Sequence, residues 1–199
     1  MQEQKHINPF YTQERWHNWI IKVKDSGFKI DDQQKGAVFV YMEDDVVLAC
    51  LKIIAKYDKN VVSKEEALGH IANIKQIVLE KAEPINEDVD MMIESVQLSL
   101  IGVFASCECY LEKAFEKTKS FDKLIKSAVD AEKEDNMGAA LGSIAEIGAN
   151  ILAGGKLKEK ALDDVPEGLV GEWLDGIDSL SAAMVGDTSY RDDEPDEGD

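Results

Sequence analysis

Apolar residues recur alternately four and three positions apart from Asp88 to Glu116, at Val89, Ile93, Val96, Leu100, Val103, Cys107, Tyr110 and Ala114. That spacing traces one stripe of a helix. Met91, Leu98, Ile101 and Ala105 fall on the opposite side, so the middle of this helix is apolar almost all round. Such a helix is enclosed by neighbours on several sides. The pattern predicts a long buried central helix that the rest of the chain wraps.

Shorter amphipathic stripes supply the wrapping. Trp16, Trp19, Ile20 and Val23 follow Thr12, which suits an N-cap, and Gly27 closes their helix. Ser63-Lys64-Glu65-Glu66 is a capping box ahead of Ala67, Leu68, Ile71, Ile74 and Val78. Asn86 caps the central helix and Ser120 a helix carrying Phe121, Leu124, Ile125 and Ala128. Met137, Ala140, Leu141, Ile144, Ile147 and Ile151 form another stripe, stopped by Gly154-Gly155. Asp164 and Pro166 read as cap and first-turn proline of a last helix, with Leu169, Val170, Trp173, Ile177, Leu180 and Met184 as its stripe and Gly186 at its end. The run GAVFVYM from Gly36 suits either one short strand near Ala37 to Tyr41 or the opening of a helix that continues through VVLACLKIIAKY. Helix is the preferred reading, with Asp44 or Asp45 placed to cap its later part. The fold class is therefore all-α, a compact bundle of six or seven helices in a single domain over residues 9–186. Residues 1–8 read as a flexible lead, and the acidic tail DTSYRDDEPDEGD from Asp187 as disordered.

An internal similarity adds one refinement. EALGHIANI at Glu66 to Ile74 and AALGSIAEI at Ala139 to Ile147 share six of nine residues. Upstream and downstream pairings keep the same phase, as expected of a duplicated hairpin with equal turns. Chance similarity between Ala- and Ile-rich helices is the competing explanation. On the duplication reading, Gly69 and Gly142 would let another helix approach closely.

Composition then removes function classes. Net charge is −18, with 40 acidic against 22 basic residues, a field that repels nucleic-acid phosphate and anionic lipid. Neither nucleic acid nor membrane is an expected partner. Arg15 and Arg191 are the two arginines. The apolar window Ser95 to Cys107 is bounded by Glu94 and Glu108 and is too short to span a bilayer. Cys50, Cys107 and Cys109 are an odd number without a C-x-x-C pair, which fits a reducing cytoplasm. MQEQKHINPF lacks the basic-then-apolar pattern of a secretory signal.

Candidate chemistry is sparse. Glu14-x-x-His17 has the spacing of one ligand pair in a di-iron bundle, and with His70 and a central-helix carboxylate such as Glu94 it defines the enzyme alternative. His70, between Ile74 and Ile77 in its helix pattern, reads better as a core-edge residue. Asp58-x-Asn60 opens like a calcium loop, but Val62 stands where a third ligand belongs and the turn glycine is missing. The run Glu43-Asp44-Asp45 reads as solvated. No cofactor is expected.

The preferred function is a non-catalytic adaptor or regulator that binds another cytoplasmic protein, a basic one being the natural complement, or pairs with itself as a homodimer. Its candidate faces are the first helix through Trp16 and Trp19, and the last through Glu172, Trp173, Asp175 and Asp178. Two tryptophans so close also read as anchors packed on the core. The glycines of GLVGEWLDGIDSL read as close packing within the monomer, each costing about 1 kcal/mol against alanine inside a helix.

The ordered segments FYTQERWHNWI, DD followed by ACLKIIAKYD, EEAL, VQLSLIGVF and GLVGEWLDGIDSL resemble an archaeal family of small acidic proteins known only as a domain of unknown function. The resemblance runs from Phe10 to about Ala183. It implies a cytoplasmic archaeal protein, a methanogen's given its lysine-rich basic set. It assigns no activity and no site residue.

Overall fold

The computed structural model of the chain describes residues 9–31, 33–117, 119–162 and 165–186. These form seven α-helices and no strand: α1 Gln13–Asp25, α2 Ala37–Asp58, α3 Lys64–Val78, α4 Glu87–Glu112, α5 Phe121–Lys133, α6 Met137–Leu152 and α7 Leu169–Val185. The expected lead 1–8 and tail from Asp187 lie outside the described residues. The β-branched start of α2 is helical, because Phe39, Met42 and Val46 bury one face in the core. Asp44 and Asp45 consequently lie mid-helix and cap nothing.

Local capping explains most helix starts. Thr12 Oγ1 accepts the Arg15 N–H at 3.1 Å, and Asn86 Oδ1 that of Val89 at 3.1 Å. Ser63 and Glu66 close the capping box in both directions, at 3.1 and 2.7 Å. Asn136 Oδ1 accepts from Ala139. Each such cap stabilises its helix by about 1 kcal/mol.

The last helix departs from the predicted start. Pro166 precedes it rather than occupying its first turn, Asp164 is outside the described residues, and Gly168 is the N-cap. A carboxylate from a different helix replaces the local cap: Glu132 Oε1, on α5, accepts the Val170 N–H at 3.2 Å. Gly168 permits this approach, since a Cβ there would lie 2.7 Å from Glu132 Oε1.

α4 is the axis, packing most extensively on α6 and α7 and also on α2 and α3. Val89, Ile93, Val96, Leu100, Val103 and Cys107 are all buried as their spacing predicts, while Met91 is exposed. The helix ends at Glu112 rather than Glu116, because Lys113 turns into the left-handed region at φ 55°. α3 runs antiparallel to α4, tied by Lys64–Glu112 at 3.1 Å, Lys75–Glu108 at 3.0 Å and Gln97 Nε2 donating to the Val78 carbonyl at 2.7 Å.

Glycine governs how closely α6 and α7 approach the axis. A Cβ on Gly102 of α4 would lie 2.7 Å from the Trp173 carbonyl oxygen, and one on Gly176 would overlap the Ser99 carbonyl. One on Gly148 of α6 would overlap the Ser106 side chain. Close packing within the monomer is thus the role of Gly176. Gly69 and Gly142 face open space instead, which corrects the expectation drawn from the nine-residue similarity. The two hairpin turns are also unequal, residues 59–63 against 134–136. α5 leans on α6 and α7 while α2 packs directly on α4. The two hairpins share helix-start phase but not geometry.

Candidate functional site

Of the predicted first-helix face, Trp16 is interior and Trp19 is half-buried. Trp16 is 5% exposed and belongs to the core, so it offers nothing to a partner. Trp19 is half-buried and occupied: its Nε1 donates to Asp45 Oδ2 at 2.7 Å, and Lys22 lies over its ring. Asp45 also accepts from Arg15 Nε at 2.9 Å and Nη2 at 2.6 Å. Burial alone would raise the Asp45 carboxyl, but the hydrogen bonds from Arg15 and Trp19 and the Arg15 charge hold it below the ordinary range. Beside it, the buried Tyr11 hydroxyl is pushed far up by desolvation and by the Asp45 charge. This is a clamp fastening α1 to α2, made of charge-assisted hydrogen bonds in a half-buried setting.

The last-helix face is open on one side. Trp173 is buried at 5% exposure, its Nε1 lacking a partner, and it contributes to the core between α5, α6 and α7. Its place in the predicted surface is corrected accordingly. Asp175 and Asp178 are exposed and Glu172 is half-buried. Ser95 of α4 donates to Glu172 Oε2 at 2.8 Å.

A residue that sequence reading set aside joins them. Glu43 of α2 lies against Ser179 of α7 and Ser99 of α4, within the field of Asp44 and Asp175. Its Oε1 is buried without a hydrogen-bond partner. Desolvation therefore raises its carboxyl, more than the two serines lower it. Asp44 is raised by burial, and Asp175 by burial and then by Glu172 and Asp178. Four carboxylates, Glu43, Glu172, Asp175 and Asp178, thus line one seam where α2, α4 and α7 meet, with Asp44 on the flank beside Glu43. Among the described residues, neither these four nor Asp44 forms an ion pair with a lysine or arginine; the ion pairs found there involve other carboxylates.

The di-metal constellation does not assemble. Glu14, His17 and Glu94 are exposed on α1 and α4, and His70 packs edge-on against Phe10 with ring centroids 4.7 Å apart. Burial lowers the His70 pKa, as befits a core-edge imidazole. Among the described residues, no three His, Cys, Asp or Glu side chains are grouped to hold a metal ion.

Over residues 9–193 the chain matches a family described as an uncharacterised protein conserved in archaea, DUF2150. The chain belongs to this archaeal family. No curated protein and no solved structure matches the chain. The match agrees with the resemblance carried by the helix motifs and extends it beyond α7. Among DUF2150's described helices here, α4 alone is long and apolar enough to cross a membrane by length and composition, and half of its apolar window is buried inside the fold.

Proposed function

We propose that this DUF2150 protein is a non-catalytic adaptor or regulator of the archaeal cytoplasm that docks a basic segment of another protein along the α2–α4–α7 seam. The observation that carries the proposal is the set Glu43, Glu172, Asp175 and Asp178, without an ion pair among the described residues, in which burial and mutual repulsion raise the Asp175 carboxyl. A lysine or arginine brought alongside relieves that repulsion and stabilises the ionised forms. Long-range attraction by the whole chain, at −18, speeds the encounter with a basic partner. Self-association through this face is disfavoured, because a two-fold axis would set carboxylates against carboxylates.

A lysine- and arginine-rich peptide carrying fluorescein provides the test, followed by anisotropy at low and moderate salt. Glu172→Gln/Asp175→Asn/Asp178→Asn is compared with Glu14→Gln/Glu65→Gln/Glu83→Gln, which removes the same charge from other elements. The seam variant is expected to bind at least several-fold more weakly than the control. Equal weakening by the two would mean that net charge alone attracts the peptide, and the seam reading would fall.

A further inference from the structure

A cavity of about 430 Å³ opens where the C-terminal ends of α2, α4 and α6 meet, away from the acidic seam. Its walls carry the rings of Tyr57, Tyr110 and Phe115, the Asp58 carboxylate, and Lys113 and Lys117. A smaller cavity of about 180 Å³ adjoins it, sharing Asp58 and Leu152.

The turn after α4 builds this arrangement. Lys113 N–H donates to the Tyr110 carbonyl at 3.1 Å and Ala114 N–H to the Cys109 carbonyl at 3.0 Å. The chain then reverses, and Phe115 stacks on Tyr110 with centroids 6.0 Å apart and planes inclined by 21°. Lys113 holds φ 55°, a left-handed position where glycine is the usual occupant and a lysine is strained. The Tyr110 hydroxyl donates to Asp58 Oδ1 at 3.0 Å. Burial, then the Asp58 bond and charge, push that phenol up to about 12, so it stays a donor to Asp58. An ionised carboxylate has lone pairs left to accept from a further donor.

Neither Lys113 nor Lys117 forms an ion pair among the described residues. Both border the same aromatic-walled cavity. Part of their role is to offset the partial negative charge of the helix ends. The wall nevertheless brings three kinds of group together: the Asp58 carboxylate, three aromatic rings and two ammonium groups, with the Lys113 charge felt at Asp58.

We infer that this cavity binds a planar heteroaromatic molecule bearing an amino group and an anionic group, the chemistry of an amino-bearing nucleoside monophosphate. The ring stacks against Tyr57 and Phe115, the amino group donates to Asp58, and the phosphate sits between Lys113 and Lys117. Aromatic faces with a few directed polar groups, in a cavity of this size, are the ordinary makings of a small-molecule site.

AMP titrated into the full chain by calorimetry tests this, with adenosine and inorganic phosphate as separate titrants. AMP is expected to bind at one site, and each fragment at least tenfold more weakly. Lys113→Gly/Lys117→Gln should weaken AMP binding about tenfold, the size expected from two solvent-facing charge contacts. The same variant should melt at a higher temperature, because glycine relieves the strained turn, so lost binding cannot be blamed on unfolding. Absence of saturation by AMP into the millimolar range overturns the inference. So does undiminished AMP binding by the double variant.

Discussion

Replacing Gly176 with alanine is the sharpest perturbation of the packing. In an open helix this change stabilises by about 1 kcal/mol, because glycine loses more backbone freedom on folding. Here the added methyl would overlap the Ser99 carbonyl of α4 and lie 3.2 Å from Val103 Cγ2. Backbone cannot swing aside as a side chain does, so α7 must lift from the axis. Overpacking of a tight core costs about 1–3 kcal/mol and at times more. Lifting α7 also loosens Leu180 and Ile177, both fully buried. Overpacking wins over propensity, and Gly176→Ala is expected to lose roughly 2 kcal/mol net. Gly69→Ala and Gly142→Ala, with open space at both positions, should gain about 0.5–1 kcal/mol each. Urea unfolding monitored by circular dichroism reads all three as shifts of midpoint at constant slope. A Gly176→Ala variant as stable as the parent would refute the backbone contact between α4 and α7.

Opposite pH responses are expected of neighbouring carboxylates on α2. The Glu43 carboxyl is raised in the fold, so its stabilising contribution is complete below the unfolded value and fades as pH rises through the folded one. Glu43→Gln should therefore be more stable than the parent at pH 7, by about 1 kcal/mol, with the gap closing towards pH 4 in thermal melts. Asp45 is lowered, so its contribution is present above the unfolded value and is lost as pH falls through the folded one. Asp45→Asn should cost about 2–3 kcal/mol at pH 7 through its charge-assisted bonds, and the loss should shrink in acid. Glu132→Ala removes the cap on α7 and should cost about 1 kcal/mol, with faster hydrogen exchange at Val170 as the local readout.

Helix content was legible because the signals are local. The 3.5-residue alternation in α4 and the caps Thr12, Ser63 and Asn86 each act within one turn of their own helix, whereas Ser120 takes the cap position of α5 without a side-chain bond. Where a distant residue supplies the interaction, sequence reading missed it. Glu132 caps a helix 38 positions away, so Asp164 and Pro166 looked like the natural start. Glu43, Asp44 and Asp45 read as one solvated run, yet successive helix positions face about 100° apart. They consequently meet the α7 seam, a partly buried flank and the Arg15–Trp19 clamp respectively. Apolar periodicity also cannot separate an anchor from a docking residue, which is why Trp16 and Trp173 were placed on surfaces they do not reach. Asp175 and Asp178 are exposed, as acidic residues on an otherwise apolar helix imply.

Side-by-side capture from native archaeal lysate tests docking at the seam most directly. The parent chain, the Glu172→Gln/Asp175→Asn/Asp178→Asn variant and the equal-charge control serve as baits, with bound proteins cross-linked and quantified by mass spectrometry. One or a few basic proteins should be retained by parent and control, released by salt, cross-linked to α7 or α2, and depleted on the seam variant. Recovery of the same proteins in the same amounts on all three baits would contradict the account.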